Sequence, residues 1–136
     1  MHYTAQVAST SSTFATTNVT DVITLSATSS KCLVIASMTG IMAQGATTVG
    51  IRVRRAIASG ATTTVPGAGS YEVNAAWSND TGTTNAAGST ISFLDDPSST
   101  AALTYTIEFA NTDATGTCYV LQGNARATIT LMEITA

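Results

Sequence analysis

Charge is scarce in this sequence. Only 10% of its 136 residues are Asp, Glu, Lys or Arg, and Lys31 is the sole lysine. Five basic residues against eight acidic ones leave a formal net charge of −3. Nucleic-acid binding rests on a basic footprint against phosphate, so no nucleic-acid partner is expected. Few like charges also repel neighbouring copies only weakly, which suits a chain buried against partners. Histidine is nearly absent as well: His2 stands alone. Nucleophilic catalysis of the triad type needs a positioned base, usually histidine, so no enzyme is expected.

Other absences narrow the field further. The two cysteines, Cys32 and Cys118, match no zinc spacing. They form one bridge in an oxidising compartment, or stay free and pack like small apolar side chains. No run approaches the roughly 20 apolar residues of a membrane span, so no membrane partner is expected. Met1-His2-Tyr3-Thr4 lacks the basic start and apolar run of a secretory signal, which points to synthesis in a cytoplasm. The glycines between 60 and 69 are not followed by the Lys-Ser/Thr of a phosphate loop. Asp80 and the Asp95-Asp96 pair offer oxygen ligands without a calcium-loop spacing. Being adjacent, Asp95 and Asp96 face opposite sides of a strand, and read as a turn cap rather than a glycosidase pair. No cofactor or metal is expected.

What fills the chain instead is apolar and hydroxyl side chains at a period of two. Along Leu103 to Phe109, the residues Leu103, Tyr105, Ile107 and Phe109 point one way, and Thr104, Thr106 and Glu108 the other. Such alternation in β-branched and aromatic residues marks a half-buried strand. The pattern returns at Ala127 to Ile134, and further strands are expected over 19–27, 47–58, 70–77, 90–96 and 117–121. Residues 31–44 are apolar at both parities, which predicts a strand covered on one face by the core and on the other by a neighbouring subunit; a helix is the competing reading, against which Thr39, Gly40 and β-branched Val34 and Ile35 count. Residues 78–88 read as a surface loop, too polar to be buried. Turn signals every 8 to 12 or so residues give about eight to ten strands in an antiparallel sandwich or barrel. Residues 1–18 are polar apart from Tyr3, Val7 and Phe14. They read as an extended N-terminal arm or edge strand that needs a partner surface, or as a frayed terminus, ahead of a single domain over 19–136.

Three groups of side chains stand out. Arg52, Arg54 and Arg55 sit together and can grip carboxylates on a partner, or simply line a solvated strand face. Arg55 falls on the apolar parity of Val49, Ile51 and Val53, so the strand leaves the core there or bulges. Trp77, ahead of a polar loop, either stacks on a sugar ring or fills a core edge or subunit contact. Glu108 and Glu133 lie inside strands, where the expected role is a salt bridge, with Arg52, Arg54 or Arg126, or a solvated face.

Residues 100–136 carry a family resemblance. The alternation of Leu103 to Phe109, a short turn-rich segment, and the closing Ala127-Thr128-Ile129-Thr130-Leu131-Met132-Glu133-Ile134 resemble small bacteriophage structural proteins with a tumour-necrosis-factor-like jelly roll. The resemblance implies an antiparallel jelly-roll sandwich, a homotrimer packed around a threefold axis, and a place on the virion. A single unit without shaft or coiled-coil sequence favours a capsid cement (decoration) protein. Such a protein stabilises the shell of major capsid protein from the capsid's outer surface. On this reading Tyr3, Val7 and Phe14, with Arg52, Arg54 and Arg55, contact the capsid, while Tyr105, Ile107 and Met132 form the trimer core. The alternative is a receptor- or glycan-binding head of a tail or head fibre, with Trp77 as the contact. A secreted lectin-like module is a third reading, if Cys32 and Cys118 are bridged.

Overall fold

The computed structural model describes residues 2–3, 5–58, 60–66, 73–78, 84–113 and 115–135. Eleven strand segments follow one another: β1 (His2–Tyr3), β2 (Val7–Ser9), β3 (Ala15–Ile23), β4 (Lys31–Gln44), β5 (Thr47–Ile57), β6 (Thr62–Val65), β7 (Val73–Ser78), β8 (Thr84–Asp95), β9 (Leu103–Asn111), β10 (Thr117–Val120) and β11 (Ala127–Ile134). A short 3-10 turn at Gln122–Asn124 joins the last two.

The pairing is nested. β1 and β2 pair with β11 and β10, β3 with β9, β4 with β8, and β5 with β6 and β7, all antiparallel. The chain thus behaves as one long hairpin with its tip between β5 and β6. Rolling that ribbon places β10 and β11 on the free edge of β4, and β9 on the free edge of β5. The first sheet then runs from β8 through β4 and the β10/β11 pair to the β1/β2 pair. The second runs from the β6/β7 pair through β5 and β9 to β3. Two such sheets face to face are a jelly-roll sandwich of eight strand positions, as the sequence pattern and the resemblance predicted.

The core follows from strand parity. β9 turns Leu103, Tyr105, Ile107 and Phe109 inward, all at most 1% exposed, against Val34, Ala36 and Met38 of β4 and Val49, Ile51 and Val53 of β5. Burying a side chain of this size contributes roughly 1.5–3 kcal/mol before entropy costs. The strand β4 explains its own odd pattern. Cys32, Val34, Ala36 and Met38 point inward, then Ile41 and Ala43 do, because the register with β8 shifts between Met38 and Ile41. Gly40 makes the shift, at φ +63°, and an added Cβ there would meet Ala125 Cβ and come within 2.6 Å of the Gln122 carbonyl. Apolar side chains at both parities are thus partly one inward face that changes parity at a bulge.

Several expectations are corrected. The segment 84–88, expected in a loop, is the first part of β8 and pairs with β4 from Gln44 to Ile41. β8 is an edge strand whose outward side meets solvent, so polar residues suit it; residues 79–83 lie outside the described residues. β6 was not anticipated, because Thr62–Val65 has no apolar alternation. The cysteines are free and buried. Cys118 pairs with Ala43, eleven positions along β4 from Cys32. At about 3.3 Å per residue that is some 35 Å, far beyond disulfide reach, which removes the bridged lectin-like reading.

Candidate functional site

The two inward-pointing charges nearest the core form an internal joint. Arg55 stays on the inward parity of β5, whose register with β9 is unbroken through Ile57. Its Nη1 donates to Asp95 Oδ2 at 2.6 Å, and the Tyr105 hydroxyl donates to the same oxygen at 2.6 Å. Asp95 belongs to the first sheet, while Arg55 and Tyr105 belong to the second, so the cluster bolts the sheets together. Burial, then the hydrogen bond to Asp95, holds the Tyr105 phenol far above its ordinary pKa. Burial also raises the Cys32 thiol nearby. Arg55 and Asp95 are therefore structural, and Asp95 is no turn cap. Tyr105 and Ile107, expected in a trimer core, are 0% and 1% exposed within the single chain. Alternation shows which side chains share a face, and that face is the interior of the sandwich.

The arm residues are likewise engaged within the chain. Residues 1–18 supply β1, β2 and the start of β3. Val7 lies opposite Val120 and packs on the core. Phe14 is half-buried, with the Arg52 guanidinium 4.1 Å from its ring centre, a cation–π contact. The side chain of Tyr3 lies outside the described residues, although its backbone pairs with Ala127.

The two outward faces differ in chemistry. On the first sheet, Leu33 of β4 sits between Leu94 of β8 and Met132 of β11. Ile35 lies one step up the same face, and Ile134 one step down beside Lys31. Leu94 is 51% exposed, Ile134 43% and Met132 42%, so this row is an apolar stripe open to solvent. A hollow of about 290 Å³ indents it, lined by Ser29, Lys31, Leu94, Ile134 and Thr135. Lys31 and Asp96 form an ion pair of 3.6 Å at its rim. The sequence reading named Met132 for a subunit contact and set the second apolar parity of residues 31–44, which holds Leu33 and Ile35, against a neighbouring subunit; it did not single out Leu94 or Ile134.

On the second sheet the outward rows are mainly hydroxyl and charged, with Val22 and Trp77 exposed singly among them. Thr20 and Thr106 share a hydrogen bond of 3.1 Å. Glu108 is clamped by two arginines: Arg52 reaches Oε2 through Nη2 at 2.7 Å and Nε at 2.8 Å, and Arg54 Nη1 reaches Oε1 at 3.1 Å. The expected salt bridge of Glu108 is therefore present, with Arg52 and Arg54 of the three arginines named for it. Trp77, 57% exposed, stands at the far end of this face on β7, opposite Thr48.

Among the described residues no three Asp, Glu, His or Cys side chains cluster as a metal site would need. Neither thiol is poised as a nucleophile. Burial pushes Cys118 up to about 11, and its Sγ lies 3.2 Å from the Ser9 carbonyl. A scan against models of known families matches none of the chain, and no curated protein matches it.

Proposed function

We propose that this chain is a non-enzymatic structural protein of a virion, which self-associates through the outer face of its first sheet and decorates a capsid. The observation that carries self-association is the open stripe of Leu33, Ile35, Leu94, Met132 and Ile134. A row of apolar side chains across β8, β4 and β11, beside a hollow, is the chemistry of a subunit contact. A threefold arrangement and a capsid partner follow from the resemblance of residues 100–136 to phage structural proteins. Of the three arginines expected to grip the capsid, Arg55 is internal and Arg52 is held by Glu108 and Phe14; only Arg54 keeps an open side.

Sedimentation of the purified chain between 1 and 100 μM, values chosen as roughly the range of moderate interfaces, tests the first part. A trimer is expected, and Met132→Glu is expected to release monomers. A wild-type monomer throughout that range overturns the proposal. Antibody labelling of particles tests the second part, with label on the outer shell expected and unlabelled particles counting against it. Truncating residues 1–14 is a poor test, because it strips β1 and β2 from the sheet.

A second reading keeps the receptor- or glycan-binding head, and the exposure of Trp77 favours it. Trp77→Ala that abolishes adsorption to cells while leaving particles intact would select this reading.

A further inference from the structure

The outer face of the second sheet holds a groove of about 230 Å³, lined by Thr16, Arg54, Ala56, Thr62, Thr104, Thr106 and Glu108. Its charge does not balance. Glu108 is the one carboxylate, and its two oxygens are taken by two guanidinium groups, which leaves one positive charge in excess. The two arginines differ in freedom. Arg52 makes a double contact to Glu108 and lies against Phe14, with a side chain 19% exposed. Arg54 is 37% exposed and gives Glu108 a single contact through Nη1. A guanidinium has five N–H donors in a planar fork, so the Nε and Nη2 side of Arg54 is open. The floor beside it is Thr104 and Ala56, which face each other across the β5–β9 ladder. Val22, 56% exposed, is the partner of Thr104 on β3.

We infer that this groove binds a carboxylate-bearing sugar ring of the hexuronic acid class. The open edge of Arg54 matches a carboxylate, which arginine takes in a bidentate fork. Threonine hydroxyls both donate and accept, as ring hydroxyls require, and their methyl groups with Ala56 give the ring's C–H face an apolar bed. The volume is below the usual range for drug-sized ligands and suits one ring. An extended protein strand needs an open sheet edge for its backbone, and the groove lies on a face instead. The site is on the sheet opposite the apolar stripe, so it does not depend on self-association.

Saturation-transfer NMR and calorimetry on the whole chain test this with sodium glucuronate, glucose and sodium acetate as probes. Glucuronate is expected to bind in the millimolar range, with glucose and acetate each at least about tenfold weaker, because each lacks one half of the recognition. Arg54→Gln should cost about tenfold or more, and Thr104→Val, which keeps shape and removes a hydroxyl, a few-fold. Circular dichroism of both variants must match wild type. The monomeric Met132→Glu chain should bind glucuronate as wild type does. Equal binding of glucose and glucuronate, or an unchanged affinity in Arg54→Gln, overturns the site. Acetate binding as tightly as glucuronate overturns the sugar assignment.

Discussion

The two sheets are alike inside and unlike outside. Both bury Val, Ile, Ala and Met or aromatic side chains against each other. Outward, the first sheet shows Leu33, Ile35, Leu94, Met132 and Ile134, whereas the second shows Thr20, Thr104 and Thr106 with the Arg52–Glu108–Arg54 cluster. The hydroxyl face pairs Thr20 with Thr106 and Glu108 with two arginines, and leaves one edge of Arg54 open to a small polar ligand. The apolar face gains from cover. Each half-exposed side chain there, once buried, contributes about 1 kcal/mol, being roughly half of a full burial. Association costs at least about 4 kcal/mol in lost freedom, so Leu94, Met132 and Ile134 need the contribution of both partners to hold copies together. One strand parity therefore sets the difference between a face for water or small polar ligands and a face for a partner.

The contrast assumes that the sheets move as one body, and the way to break it is to cut the joint. Asp95→Ala leaves the Arg55 guanidinium buried without its carboxylate and removes the acceptor of Tyr105. A loss of about 3–5 kcal/mol in unfolding free energy is expected from urea titration. Adding Arg55→Met should recover most of it, because no buried charge is then unpaired. If Asp95→Ala costs under about 1 kcal/mol, the joint is not what holds the faces in place.

The hydroxyl face is next. Glu108→Gln keeps the shape and removes the charge that gathers Arg52 and Arg54, so two close cations remain. A loss of about 1.5 kcal/mol is expected, the scale of hydrogen bonds to charged groups. It should shrink at high salt, which screens the residual repulsion at this partly exposed site. The apolar face should respond in the opposite sense. Leu94→Glu places a charge on a half-exposed position and should change monomer stability by no more than about 0.5 kcal/mol. What it should remove is any rise of Tm with protein concentration, the mark of stabilisation by assembly.

How much of this was legible depends on what alternation encodes. It placed β9 and β11 closely, because their inward rows are unbroken: Leu103, Tyr105, Ile107 and Phe109 in the one, Ala127, Ile129 and Leu131 in the other. It missed β6 and the start of β8, whose backbones pair without needing apolar side chains. It misread Tyr105 and Ile107 as subunit contacts, since periodicity does not say whether an apolar row meets its own second sheet or another chain. The joint had a trace in the sequence. Arg55 shares parity with Val53, and Asp95 shares parity with Ile91 and Phe93, two opposite charges on inward rows. What the pattern could not supply was that the rolled ribbon brings those two rows face to face. The groove at Arg54 was equally hidden, because its walls come from β3, β5, β6 and β9.

The smallest effect sharpens the comparison at its acids, for each sheet has one glutamate on a central strand. Glu108 is held by two arginines from the neighbouring strand. Glu133 has no such partner among the described residues: Oε1 accepts from the Ser26 hydroxyl at 2.6 Å and the Ser26 N–H at 2.8 Å. These bonds, the Ser26 hydroxyl first and Ser30 next, favour the ionised carboxylate and lower its pKa below 4.5. A carboxylate with a depressed folded pKa stabilises the fold above its unfolded pKa, and that stabilisation fades as pH falls through the folded value. Glu133→Gln is neutral at every pH and lacks this component. The Tm of wild type should therefore exceed that of Glu133→Gln above about pH 5, with the gap closing as the solution is taken below the ordinary glutamate range near 4.3. Ser26→Ala should narrow the same gap while leaving the apolar stripe untouched. A pH-independent difference between wild type and Glu133→Gln would mean that Ser26 recognises the shape of this side chain rather than its charge. The first sheet would then present no electrostatic contribution from Glu133 beside its stripe.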